Sequence, residues 1–193
     1  LPRHRGSFPV VWSLMEDEQA GITLHWVNEQ VNAGDIIATK TIPITGGDTS
    51  FSLYSKLAKV GMDLFKANFP KIMKGNAPKI PQDEESATYH AAGYPEQRII
   101  DWNQPGKSID KFIRALTFPG FDSARTFYQD MEINILHPVE IASLEEIQHD
   151  LPPGTILNIR PEGIVVKTGD AAILIRKIKI NQSLPIDAHK LGR

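Results

Sequence analysis

Cysteine is absent from the 193-residue chain, which removes disulfides, thiolate metal sites and a cysteine nucleophile. That fits a reducing, cytoplasmic setting. No apolar run approaches the roughly 20 residues that a membrane-spanning helix needs. The net charge of -2 gives no overall attraction to nucleic acid or anionic lipid, so a phosphate-rich partner would have to be held locally. A phosphate loop, a nucleotide-binding glycine fingerprint, a zinc-protease histidine pair and a nucleophile elbow are all missing. His4, His25, His90, His137, His149 and His189 are scattered along the chain. They read as structural or surface residues, and no metal site is expected.

What remains is ordinary globular usage, 41% hydrophobic and 23% charged, enough for one medium domain or two small ones. Helical spacing from Phe8 to Met15 runs into Glu16-Asp17-Glu18. Gly21 to Val27 then alternates as a strand, with Ile22, Leu24 and Trp26 on one face. Asn28 to Gly34 reads as a loop, Asp35 to Ile44 as a second strand, and Gly46-Gly47-Asp48 as a turn. The clearest helix is Ser50 to Lys74, capped by Thr49 or Ser50, with Leu57, Gly61, Leu64, Phe65, Phe69 and Ile72 on one side. Pro70 should kink or divide it. Lys56, Lys59, Lys66, Lys71 and Lys74 fall opposite, a solvated face or a polyanion patch.

Residues 81–99 lie in a stretch rich in Pro, Gly and polar side chains and read as a linker. It separates an α/β unit, residues 1–80, from a mainly β unit, residues 100–193. The second unit opens with a short helix, Ser108 to Leu116. Strands follow at Thr126 to Tyr128, Glu132 to Leu136, Thr155 to Ile159, Gly163 to Lys167 and Ala171 to Ile180, punctuated by Gly- and Pro-containing turns. A small closed barrel would satisfy their edges.

Several ordered blocks carry a resemblance: Leu1-Pro2-Arg3-His4-Arg5-Gly6, Ala20 to His25, Gly34 to Ile37, Asp48-Thr49, Pro81-Gln82-Asp83-Glu84, Ile100-Asp101-Trp102 and Glu162-Gly163-Ile164-Val165-Val166. Their order and spacing resemble the formyltransferase family that uses 10-formyltetrahydrofolate. That family includes methionyl-tRNA formyltransferase and nucleotide-sugar N-formyltransferases. The resemblance implies the C-terminal half of a Rossmann-like formyltransferase domain followed by a small, OB-like β-barrel. It also implies that a chain opening on Leu1 rather than Met begins inside that domain.

In the family, the catalytic Asn and His of an Asn-x-His-Pro-Ser-Leu motif would lie immediately before Leu1. Leu1 and Pro2 match the end of a stretch that contacts the folate, although Pro2 equally suits a plain turn. The family's catalytic Asp falls on Asn32, within Asn32-Ala33-Gly34-Asp35; Asp35 is the nearest alternative carboxylate. The family mechanism has an amine attack the formyl carbon while Asn and His stabilise the oxyanion and the carboxylate orients and charges the His. An amide at position 32 keeps the shape and loses the charge.

The resemblance leaves the acceptor open between methionyl-tRNA and a nucleotide-linked amino sugar. Acids and bases from Asp101 to Arg193 balance to within one residue, which weakens a tRNA reading, although Arg176-Lys177-Lys179 offers a local cluster. Phe8 and Trp12 suit either a nucleotide-sugar groove or the core. The expectation is therefore a formyltransferase that is inactive as this chain alone, with a non-catalytic binding module as the alternative.

Overall fold

A computed structural model describes residues 1–142, 150–181 and 183–191, so His149 lies outside the described residues. The chain divides into two compact units, Leu1–Tyr94 and Pro95–Arg193. Among the described residues, no helix is long and apolar enough to cross a membrane.

The first unit begins with a two-residue strand β1 (Arg5–Gly6), then helix α1 (Pro9–Glu16). Phe8, at φ 54°, turns the chain into the helix, and Pro9 supplies a preset φ in the first turn. Val11 and Leu14 face inward, and the chain leaves helical geometry at Asp17, where φ is -114° and ψ 168°. Strands β2 (Gln19–His25) and β3 (Ile36–Pro43) form an antiparallel pair in which Thr23 faces Thr39. A register shift between Leu24 and His25 bends the end of β2.

Helix α2 (Ser50–Met73) starts at a reciprocal cap: the Thr49 hydroxyl accepts from the Ser52 amide, and the Ser52 hydroxyl accepts from the Thr49 amide. Just before it, buried Asp48 accepts from the Thr45 amide and hydroxyl, the Ser52 hydroxyl and Lys56 Nζ at 2.7 to 2.9 Å. Burial alone would raise the pKa of this carboxyl. Lys56, Ser52 and Thr45 outweigh it and hold the group well below the usual carboxylate range.

Two expectations for α2 change. The helix runs unbroken through Pro70 to Met73, because the proline sits in the last turn and the Lys74 and Gly75 amides close it on Pro70 and Ile72 carbonyls. The apolar face is buried only in its first half. Leu53 and Leu57 are buried, and a Cβ on Gly61 would lie 2.4 Å from Ile22 Cδ1, whereas Phe65 and Phe69 are 41% and 44% exposed. Twenty-four residues make a helix of about 36 Å, and strands of 7 and 8 residues span only about 25 Å. The strand pair is too short to cover the whole helix.

Residues 81–94, expected as linker, pack back onto the first unit. Ile80 bridges Ile36 in both directions, and strand β4 (Tyr89–His90) pairs in parallel with β1. The Arg5 amide donates to the Thr88 carbonyl and the Ser7 amide to the His90 carbonyl. Polar composition misleads the linker reading because Gln82, Glu84, Thr88 and Tyr89 bond to His4 and Arg5 of the first unit.

In the second unit, helix α3 (Gly106–Ala115) buries Ile109 and Ile113. Strands β5 (Arg125–Tyr128), β6 (Met131–Ala142), β7 (Ile156–Arg160), β8 (Gly163–Lys167), β9 (Ala172–Ile180) and β10 (Ile186–Asp187) follow. All pair antiparallel in the order β5-β6-β9-β8-β7, with β10 also on β9. The order describes an open, curled sheet among the described residues rather than a closed ring. A register shift between Leu136 and Val139 helps it curl, so that Phe127 of β5 and Ile156 of β7 line one apolar cavity of about 140 Å³.

The depressed Asp48 carboxyl makes the first unit acid-sensitive. Its stabilisation is complete above the unfolded value of about 3.9 and is lost as pH falls through the lower folded value. Asp48→Asn should lower stability at pH 7 by about 1–3 kcal/mol, because buried donors lose their charged acceptor. The variant should also show a shallower loss than the parent between pH 4 and 2. Urea midpoints measured across that range check both.

Candidate active site

The site is built around a buried cation. Arg5 is fully buried in β1, and its guanidinium has acceptors on all three nitrogens. Nη1 and Nη2 donate to the two Glu84 oxygens at 2.8 and 2.7 Å, Nη1 also to the Tyr89 hydroxyl at 3.0 Å, and Nη2 and Nε to Gln82 Oε1 at 2.8 and 3.3 Å. The hydrogen bond to Glu84 is the main cause that keeps Arg5 charged despite burial, and Arg5 in turn lowers the Glu84 pKa. A buried guanidinium without such partners would be strongly destabilising.

With Gln82 Oε1 committed to Arg5, its amide nitrogen faces the other way. Nε2 donates to the Asn32 carbonyl at 2.9 Å and the Gly34 carbonyl at 2.7 Å. This holds a loop that sequence alone reads as a simple turn. Asn32 sits at φ 56°, which asparagine tolerates better than most residues. A Cβ on Gly34 would lie 1.8 Å from the Trp26 carbonyl oxygen, so only glycine fits. The Trp26 amide donates to the Asp35 carbonyl at 2.8 Å, closing the loop into β3.

Beside this loop lies a cavity of about 550 Å³, lined by Leu1, Pro2, Thr23, His25 and Asn32 among others. The three residues singled out in the sequence therefore meet at one site. Asp35 is not among the residues lining it. Asn32 can donate and accept hydrogen bonds there but cannot take up a proton at neutral pH. His25 stands on the wall of the same cavity beside Thr23, on the strand face that alternation assigns to both.

A second cluster adjoins the cavity. His4 is buried at φ 57°; its Nε2 lies 2.6 Å from Asp17 Oδ2 and its Nδ1 2.9 Å from His90 Nε2. Asp17 also accepts from Arg3 at 2.8 Å. Burial, with His4 nearby, lowers the His90 pKa even though Glu16 opposes the shift. Trp12 stacks flat on the His90 ring at 4.0 Å, and Phe8 stacks on Tyr94 at 4.9 Å. Neither aromatic lines the cavity, which favours packing over a groove.

A family model described as the C-terminal domain of formyl transferase matches residues 94–193, and one described as formyl transferase matches residues 1–68. The chain belongs to the formyl transferase family. It is 32% identical over 191 residues to a methionyl-tRNA formyltransferase of Symbiobacterium thermophilum, covering 97% of this chain and 57% of that protein. The chain thus spans a little over half the length of the curated relatives it matches. Among solved structures, HypX from Aquifex aeolicus in complex with tetrahydrofolic acid shares the fold, with TM-score 0.73 and 21% identity over 96% of this chain and 32% of that one. An N-formyltransferase from Helicobacter canadensis, in complex with folinic acid and dTDP-3-aminofucose, matches with TM-score 0.69 and 20% identity over 91% of this chain and 62% of that one.

In this formyl transferase chain, Gln82→Leu should free the loop that carries Asn32. It leaves two loop carbonyls and part of the Arg5 fork without partners, at a cost of about 1–3 kcal/mol. Amide hydrogen exchange at Trp26 and Ile36 should accelerate, while β8 and β9 of the second unit stay unchanged.

Proposed function

We propose that residues 1–94 form the Asn32-bearing part of a site that moves a formyl group from 10-formyltetrahydrofolate to a primary amine. The observation that supports this reading is the shared cavity: Leu1 and Pro2, at the position where the family contacts folate, line it together with Asn32. The acceptor amine adds to the formyl carbon, the carbonyl oxygen takes up the negative charge, and N10 of the folate leaves with a proton as the carbonyl re-forms. In the family's arrangement, Asn32 orients the catalytic His by hydrogen bonding and does not charge it. The catalytic Asn and His of the Asn-x-His-Pro-Ser-Leu motif have no counterpart within residues 1–193, and this reading requires a segment that supplies them.

For the acceptor, the 32% identity to a methionyl-tRNA formyltransferase favours methionyl-tRNA, with the second unit as an OB-like domain and a cytoplasmic setting. Charge adds little to this reading. Lys56 is committed to Asp48 and Arg176 to Glu140, leaving Lys59, Lys66, Lys71 and Lys74 on the outer side of α2. An amino sugar carried on a nucleotide is the alternative acceptor. A second reading, a non-catalytic formyltransferase-like binding module, is favoured by the amide at position 32.

Joining residues 1–193 to the N-terminal portion of an active formyltransferase separates these readings. Asn32→Asp in that chimera should raise turnover, by up to about 10⁴-fold if the loss resembles that of the serine-protease triad. Asparagine and aspartate at φ 56° are comparably tolerated, so the loop survives the change. Equal turnover with and without the substitution would remove position 32 from the mechanism. No turnover and no folate binding in either chimera would leave the binding module.

A further inference from the structure

We propose that His4, Glu16 and His90 form a divalent transition-metal site of the zinc type, a role the formyl transfer reaction does not call for. Their donor atoms, one from each side chain, all lie within 4.8 Å of one another. His4 Nδ1 is 2.9 Å from His90 Nε2 and 3.8 Å from Glu16 Oε2. Ligands about 2.1 Å from a tetrahedral zinc stand roughly 3.4 Å apart, and the two distances bracket that value. The ion is admitted once the three donors, all within 4.8 Å of one another, adjust to that spacing.

The surroundings match a metal centre more closely than a chance histidine pair. An ionised Asp17 carboxylate can only accept, so the His4 Nε2 facing it at 2.6 Å carries the hydrogen and a neutral His4 presents a bare lone pair on Nδ1. A carboxylate behind a ligating imidazole fixes the tautomer and raises ligand basicity. Arg3 in turn holds Asp17. The Trp12 ring lies 4.0 Å from His90 at 7°, fixing the second imidazole. His4 is buried and Glu16 is exposed, which gives an ion an entry path and leaves a fourth position for water. Two imidazoles and a carboxylate suit Zn²⁺ and its neighbours rather than Mg²⁺ or Ca²⁺. The three ligands come from the opening segment, the end of α1 and β4, so the ion would clamp three separate stretches of chain.

Cobalt(II) titrated into the full chain tests this by visible absorption, with Zn²⁺ as competitor. Saturation at one ion per chain, intense four-coordinate bands and displacement by Zn²⁺ are expected. Asp17→Asn should weaken affinity by about 10–100-fold, as for other outer carboxylates, and His90→Gln and Glu16→Gln by at least as much. Glu16 is exposed, so E16Q remains informative if H90Q does not fold. Zinc should raise the melting temperature of the parent and not of E16Q. The proposal fails if no ion binds, if E16Q binds as tightly as the parent, or if His149→Gln abolishes binding in its place.

Discussion

Burying the Arg5 guanidinium is the constraint on which the first unit depends. Desolvating that charge is tolerable only if its planar fork finds rigid acceptors, and in this chain Gln82, Glu84 and Tyr89 supply them. All three lie far along the chain from Arg5. The requirement to solvate one cation therefore pulls residues 82–90 back across the unit and sets the parallel pairing of β4 with β1. The backbone ladder there is only two residues long and would be marginal without the side-chain fork.

The same fork shapes the Asn32 loop at one remove. A primary amide has an acceptor end and a donor end, and committing the Gln82 oxygen to Arg5 leaves its nitrogen for the carbonyls of Asn32 and Gly34. The loop is thus held by its backbone, leaving the side chain at position 32 to meet the cavity. The geometry is set by Gln82, Gly34 and Trp26; the residue at 32 contributes charge or its absence.

Much of this is legible in the sequence where local physics decides. The Thr49 cap, the α1 helix, the β2–β3 pair and five strands of the second unit follow from capping chemistry, alternation and turn residues, which act over a few positions. The family resemblance locates Leu1, Pro2 and Asn32, and the structure places them on one cavity. The role of 81–94 is not legible, because Gln82, Glu84 and Tyr89 look like solvated loop residues until Arg5 is known to be buried. His4 and His90 do not stand out for the same reason: 86 positions separate them, and neither spacing nor composition brings them to 2.9 Å. The exposed end of α2 escapes the sequence because helical periodicity shows which residues share a face and is silent on how far a neighbouring strand reaches.

His4 and Arg5 are adjacent and point to different tasks: His4 lies in the preceding turn at φ 57°, and Arg5 opens β1. Arg5 goes inward to Gln82, Glu84 and Tyr89, while His4 goes to Asp17 and His90. Both destinations include the returning segment 82–90, which therefore carries two connections, one to the Asn32 loop and one to the histidine cluster. A rigid link of this kind couples the two. Displacing β4 from β1 would move the acceptors of Arg5 and the ring of His90 together, and Gln82 would pass that displacement to the carbonyls of Asn32 and Gly34. A ligand that clamps His90 to His4 thereby also firms the loop, through the backbone carbonyls that Gln82 holds rather than through the Asn32 side chain.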